Sequence, residues 1–325
     1  MNSPSRIVIT GAAGFIGQGV CLALHAGLAS SSNSGGELVA TDCVGFAEAA
    51  GVAWKPGDIA DAALIGSLFD RPVQRLFHLA GIVSGRAEAD FALGKRVNLD
   101  ATLALLERCR VQAERGGPVV RFIYASSIAV FGTPLPERID DSTPPLPTLS
   151  YGTHKRAIEL LIDDYTRRGF IDGRALRLSG VLLRPPVAHS ASSGALSAFN
   201  SDVIREPLAG HAYVCPVGPR ATIWLTSLRS TLRNLQALAE LDEKALGAQR
   251  SVTAPALAVS IADIVAALGR VDAAAPSRVS YQPQPALEAQ FGRWPLDCSF
   301  ERANALGLHV DSSIDTLLHT ILEAA

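Results

Sequence analysis

Hydrophobic and polar positions along the first half of the chain alternate between two periods. Short runs rich in β-branched residues have the length of buried strands: Arg6 to Thr10, Glu37 to Asp42, Val52 to Lys55, Arg75 to Leu79, Arg121 to Ser126 and Gly173 to Leu178. Between them, stretches with apolar residues every three or four positions predict helices at Phe15 to Leu28, Asp61 to Phe69, Phe91 to Glu114 and Tyr151 to Arg168. Strand, turn and helix repeated in this order predict an α/β protein with a Rossmann-type doubly wound parallel sheet over residues 1–180. Beyond Leu178 ten prolines break the alternation. Helical patterns remain at Thr226 to Glu240, Ile261 to Gly269 and Ser312 to Glu323. They predict a smaller α/β substrate-binding lobe over 181–325, with a segment near 220–250 returning to the first domain.

Charge and composition narrow the function. With 29 Lys plus Arg against 31 Asp plus Glu, the chain carries no electrostatic footprint for nucleic acid or an anionic membrane. No segment approaches the roughly 18 uninterrupted apolar residues of a membrane span. The start, MNSPSRIVIT, lacks the basic and apolar regions of a signal peptide. A cytoplasmic protein is expected. Five cysteines, far apart and without CxxC spacing, point to a reducing compartment and to no metal site. Only four basic residues are lysines, Lys55, Lys95, Lys155 and Lys244, which makes each a residue to account for.

Chemistry-bearing motifs fall at the strand ends. Thr10-Gly11-Ala12-Ala13-Gly14-Phe15-Ile16-Gly17 follows the first strand and opens the first helix. Glycines there allow a tight turn, close approach of backbone to a pyrophosphate, and close helix packing, while the helix N-terminus offers unpaired N–H groups. Asp42, at the end of the second strand, can accept from both hydroxyls of an adenosine ribose and would repel a 2′-phosphate, so NAD is expected over NADP. Leu79-Ala80-Gly81 leaves small residues where the cofactor ribose would pass, and the neighbouring His78 reads as structural. Ser126 and Ser127 end another buried strand; one can donate to a substrate oxygen while the other satisfies the strand end. Tyr151 and Lys155 stand four apart at the start of a helix, on one face. Bringing a phenol of pKa ~10 to neutrality takes roughly 4 kcal/mol of phenolate stabilisation, which a nearby ammonium can largely supply.

Taken together, GAAGFIG at 11–17, Asp42, Gly57-Asp58-Ile59, HLAG at 78–81, Asn98, ASSIAVFG at 125–132, YGTHK at 151–155, Asp297 and Ala303-x-x-Leu306-Gly307 resemble the extended short-chain dehydrogenase/reductases. That resemblance implies Tyr151 as base, Lys155 on the nicotinamide ribose and tuning Tyr151, and Ser127 positioning the reacting oxygen. It adds Asp58 and Ile59 at the adenine, and Gly11, Gly14, Phe15, Ile16, Gly17, Leu79, Ala80, Gly81, Asn98 and Ser126 along the cofactor. It also implies a homodimer; the apolar faces carrying Leu99, Leu103 and Leu106 on one helix and Ile158, Leu161, Ile162 and Tyr165 on another fit its twofold contact and fit packing against the sheet equally well.

Within the family, residues 83–102, 150–178 and 203–210 are similar to a branch that oxidises the C2 hydroxyl of a four-carbon sugar acid, D-erythronate, to the 2-keto acid. The acidic positions that serve nucleotide-sugar enzymes are Ala221 and Ser227 here. A small carboxylate instead needs one cation and a few donors: Arg184, Arg205 or Arg220, with Ser84 and Ser179. Ser179-Gly180 departs from the Pro-Thr of that branch and bears on which acid is read. The alternatives are a sugar epimerase with transient oxidation and a non-catalytic dinucleotide sensor; the intact Tyr151–Lys155 pair weighs against the sensor.

Overall fold

Seven strands form one sheet: β1 (Arg6–Thr10), β2 (Glu37–Thr41), β3 (Val52–Trp54), β4 (Val73–His78), β5 (Val120–Ser127), β6 (Ile171–Leu178) and β7 (Ser251–Thr253). Their order across the sheet is β7-β6-β5-β4-β1-β2-β3, with β1 parallel to both β2 and β4, and β4 parallel to β5. The order reverses at β1, which is the topology of a doubly wound sheet. All of this comes from a computed structural model that describes residues 6–30, 36–45, 51–182 and 197–323.

The chain divides into two units. The first comprises Met1–Ser127, Leu149–Arg177 and Leu235–Val252; the second comprises Ile128–Thr148, Leu178–Asn234 and Thr253–Ala325. Segment 128–148 therefore groups with the second unit, and the returning segment is 235–252.

In the first unit the sheet is covered by helices that include α1 (Phe15–Ser30), α2 (Ala62–Leu68), α3 (Ala101–Glu114) and α4 (Ser150–Arg167). Val8, Leu76, Phe122 and Tyr124 from the strands pack with Leu68, Leu105, Leu106, Ile158 and Ile162 from the helices in one apolar core. A strand run with no polar alternation, such as RIVIT, buries every residue because both of its faces are covered. Most of the helix faces expected to pair between subunits are used here: Leu106, Ile158 and Ile162 are fully buried, and Leu99, Leu161 and Tyr165 pack against the same core. Leu103 and Leu160 point outward.

The predicted helix Phe91 to Glu114 is not continuous. It consists of Phe91–Lys95, a π-helical turn at Arg96–Asp100, and α3. Hydrophobic periodicity cannot register one extra residue in a turn, so the break is invisible in the pattern. The predicted helix Thr226 to Glu240 starts later, at Leu228, because Thr226 and Ser227 belong to the strand Thr222–Ser227. Ser227 caps the helix instead: its Oγ accepts from the Ser230 N–H at 3.0 Å. Of the serine-rich loop Ala29 to Gly36, residues 31–35 lie outside the described residues.

The second unit is built on a three-stranded sheet in which Thr222–Ser227 runs parallel to Gly180–Leu182 and antiparallel to Leu257–Ser260. Phe199, Val203, Ile204, Ile223, Ile264 and Leu317 fill its core. Among the described residues no helix is long and apolar enough to cross a membrane.

One carboxylate ties down the outer strands of the first unit. Asp172 on β6 accepts from Arg121 at 2.8 Å, from Arg174 at 3.1 and 2.7 Å, and from Arg250, which also donates to the Gly173 carbonyl at 2.7 Å. Burial alone would lift its carboxyl, but Arg174 and Arg121 outweigh that and hold it below the ordinary carboxylate value. A depressed value in the fold means that this stabilisation is present at neutral pH and lost as pH falls through the carboxylate range. We expect Asp172→Asn, which strands buried guanidiniums, to lower stability by about 3–5 kcal/mol in urea unfolding. A change within ~0.5 kcal/mol would contradict that role.

Candidate active site

The glycine-rich turn between β1 and α1 is built around close backbone contacts. Gly11 has φ +71°, a conformation that side chains rarely adopt, and a Cβ there would lie 2.5 Å from the Ala80 nitrogen. A Cβ on Gly17 would lie 2.0 Å from the Gly11 carbonyl oxygen. Gly14 donates its N–H to that carbonyl at 3.1 Å, and α1 begins one residue later. Phe15 and Ile16 are half-buried at the helix start. Asp42, half-buried beyond the end of β2, accepts from the Ala13 N–H at 3.1 Å and the Val44 N–H at 3.3 Å. Each carboxylate oxygen keeps acceptor capacity for a ribose hydroxyl. This turn fits a dinucleotide: a cradle that any Cβ would fill, a helix N-terminus, and an acid beside it.

Other expected cofactor residues take more local roles. Asp58 accepts from the Ala60 N–H at 2.9 Å and pairs with Arg96 at 2.7 Å; these two contacts hold its carboxyl below the usual value. Ile59 is buried in the apolar core. Leu79 and Ala80 follow β4, where the Leu79 N–H donates to the Thr10 carbonyl at 3.2 Å. Gly81 faces Asn98 and Lys155: a Cβ there would meet Asn98 Oδ1 at 3.2 Å and Lys155 Nζ at 3.7 Å. Asn98, on the π-helical turn, uses both ends of its amide on Ile82, accepting from its N–H at 2.7 Å and donating to its carbonyl at 2.9 Å. It fixes the loop after β4.

The first unit brings Ser127, Tyr151 and Lys155 onto neighbouring elements. Ser127 is the last residue of β5, at the carboxyl edge where ligands bind in such sheets. Tyr151 and Lys155 lie in the first two turns of α4. Ser127 and Tyr151 are half-buried, whereas Lys155 is only 3% exposed. Its ammonium donates to the Ala125 carbonyl at 2.7 Å and stands 4.5 Å from the Tyr124 ring and 5.6 Å from the Tyr151 ring. Burial pulls the Lys155 amine down to about 7, and Glu159 works against that fall. The hydroxyl of Ser126, a residue expected along the cofactor, donates to Glu159 at 2.6 Å.

Sequence reasoning passed over Glu159, Tyr124 and Thr102. Glu159 shows a signal in hindsight, since it continues the four-residue step from Tyr151 through Lys155. Thr102 has none, because its partner is 24 residues away: it is hydrogen-bonded to His78 Nε2 at 2.8 Å, and Thr10 to Nδ1 at 2.6 Å. His78 is thus a satisfied core histidine.

Of the residues expected at the substrate, Ser84 is buried at the first position of helix Ser84–Ala89. Ser179, which follows β6, keeps a buried hydroxyl without a partner among the described residues. Arg205 is engaged by Asp202 at 2.5 Å and Glu206 at 3.0 Å. These two carboxylates hold the Arg205 guanidinium against its own helix. Arg184 lies outside the described residues. Among the described residues, no cluster of three or more His, Cys, Asp or Glu is placed to hold a metal ion.

Residues 7–211 match the NAD dependent epimerase/dehydratase family. The chain is 40% identical to a D-erythronate dehydrogenase of Cupriavidus necator, over 98% of each protein. A D-erythronate dehydrogenase of Haemophilus influenzae is 33% identical, over 98% of this chain and 99% of the relative. Among solved structures, a nucleoside-diphosphate-sugar epimerase from Agrobacterium tumefaciens superposes with a TM-score of 0.88 at 32% identity, covering 98% of this chain and 94% of the other.

Burial, and then the Lys155 charge, push the His78 imidazole down to about 3. The unfolded chain titrates its histidines near ~6.5, so this ring favours the fold above that value and the contribution is lost as pH falls from ~6.5 toward the folded value. Its NMR ring signals are expected to stay unchanged between pH ~7 and ~5. A titration in that interval would contradict the neutral, doubly bonded ring.

Proposed function

The chain belongs to the NAD dependent epimerase/dehydratase family, and from that premise we propose that it oxidises the C2 hydroxyl of a short sugar acid, D-erythronate, to the 2-keto acid. The observation that carries this reading is the full-length identity of 40% to a D-erythronate dehydrogenase, in a chain that retains Ser127, Tyr151 and Lys155 in one unit.

NAD supplies the two-electron acceptor when bound. Gly11, Gly14 and Gly17 would hold its pyrophosphate at the α1 N-terminus, Asp42 the adenosine ribose, and Lys155 the nicotinamide ribose. The Ser127 hydroxyl donates to the substrate C2 oxygen and keeps it oriented as it becomes a carbonyl. The Tyr151 oxygen removes the C2 hydroxyl proton, and the Lys155 ammonium stabilises the phenolate form needed for that step. Loss of that proton and of the two electrons with the C2 hydrogen balances the conversion of a carbinol to a ketone. Within the first unit, Ser84 is the side chain we assign to a remaining polar group of the acid.

We read the protein as a cytoplasmic homodimer, with the outward Leu103 of α3 and Leu160 of α4 at the twofold contact. A monomeric mass at micromolar concentration would overturn the dimer.

Incubation with NAD and D-erythronate is expected to accumulate NADH in step with keto acid. Product formed without net NADH would mark an epimerase instead. Tyr151→Phe is expected to lower the rate about 10²–10⁴-fold with folding intact; near-normal turnover would remove Tyr151 from the reaction.

A further inference from the structure

Helix α4 carries a third functional position. Glu159 follows Lys155 by four residues, as Lys155 follows Tyr151, so the three share a face of the helix. The Glu159 side chain is fully buried, and both of its oxygens are used. Oε1 accepts from the Ser126 hydroxyl at 2.6 Å and from Arg177 Nε at 2.9 Å. Oε2 accepts from Arg177 Nη2 at 2.8 Å and from Arg156 at 3.0 Å. The same helix therefore grips two successive residues of β5: Lys155 holds the Ala125 carbonyl and Glu159 holds the Ser126 hydroxyl. The next residue of that strand is Ser127.

We propose that Glu159 is a positioning residue for the oxidation: it fixes the end of β5 that presents Ser127, and it is the anion that keeps the buried Lys155 ammonium charged beside Tyr151. This deepens the dehydrogenase reading, on which its catalytic part rests. The groups facing Lys155 leave little else to do that work. From β4 comes His78, held neutral; from β5 comes Tyr124, whose fully buried phenol is pushed well above its ordinary value, first by burial. From α4 itself come Tyr151, Glu159 and His154, and burial lowers the His154 imidazole. Arg177 on β6 and Arg156 on α4 are cations and meet Glu159, not Lys155. Of these groups Glu159 alone is a carboxylate, and it opposes the fall of the Lys155 amine that burial causes.

A buried carboxylate so heavily hydrogen-bonded invites a plainer account, in which it only braces the fold. The two accounts differ in what Tyr151 feels. With Glu159→Gln, the shape of the side chain stays but its charge goes, so Lys155 loses its proton more readily and the Tyr151 phenolate loses its counter-charge. Phenolate formation, followed by near-ultraviolet absorbance and assigned by difference from Tyr151→Phe, is expected to require about tenfold lower proton concentration than in the unsubstituted protein. This titration needs neither NAD nor substrate, so it stands even if D-erythronate proves not to be oxidised. In NADH-forming assays the alkaline-rising limb of kcat should move by the same factor. Glu159→Asp, which keeps the charge, should return both readouts toward the original.

If Glu159→Gln does not fold, Glu159→Gln with Arg177→Met removes both charges of the bidentate pair and is expected to displace both readouts in the same direction by a smaller factor, because a cation goes with the anion. A merely structural Glu159 predicts lower stability in both variants, with the Tyr151 titration and the pH limb unmoved. That result, in either variant, overturns the proposal.

Discussion

A lysine taken out of water sets the terms for the site. Desolvation of an ammonium costs several kcal/mol unless the surroundings return that energy as hydrogen bonds and opposite charge. Lys155 receives one backbone carbonyl from Ala125, the face of the Tyr124 ring, and a carboxylate one helical turn further along. Each of these comes from a different requirement of the fold. The Ala125 carbonyl lies one residue past the last β4–β5 pair, Tyr124 is there because the strand is buried on both faces, and Glu159 because α4 lies along the strand with one face inward. Removing any one leaves a charge that the interior cannot tolerate, and the amine would respond by giving up its proton.

The same economy of placement explains the neutral side of the site. Around Lys155 a second positive charge would be repelled, and the buried imidazole of His78, lowered by burial and by that ammonium, is held between two threonine hydroxyls. Gly81 lets the loop after β4 lie close to Asn98, since a Cβ there would press on the Asn98 amide oxygen and touch the ammonium. Polar contacts that look like candidates for catalysis are, in several cases, the means by which the loops at the strand ends keep their shape.

Much of this was legible before the structure. The strand at Arg6 to Thr10 begins and ends where its hydrophobic run does, and the glycine spacing at 11–17 already required a turn too tight for side chains. Tyr151 and Lys155 could be read because their partnership is local, within one turn of a helix. What could not be read depends on contacts remote in sequence: Ser126 reaches Glu159 across 33 residues, and Thr10 reaches His78 across 68. Arg205 is the opposite case, with its partners close by in sequence. Its formal charge is visible in the sequence, but the carboxylates that hold it, Asp202 and Glu206, are no more conspicuous there than those on any solvated helix. The apolar faces of α3 and α4 were equally ambiguous, because periodicity reports that a face is buried and not what buries it.

The π-helical turn at Arg96–Asp100 has a consequence for how the chain can change. An α-helix advances about 100° per residue, so one extra residue within a turn rotates everything after it by that angle relative to everything before. At the start of the turn, Arg96 is aimed at Asp58; two residues on, Asn98 is aimed at Ile82; beyond the turn, Leu105 and Leu106 are aimed at the sheet. A single-residue deletion would restore regular helical hydrogen bonding and misdirect one of these sets. The segment can therefore accept substitutions freely at its exposed positions, but its length is locked by three appointments that point in different directions.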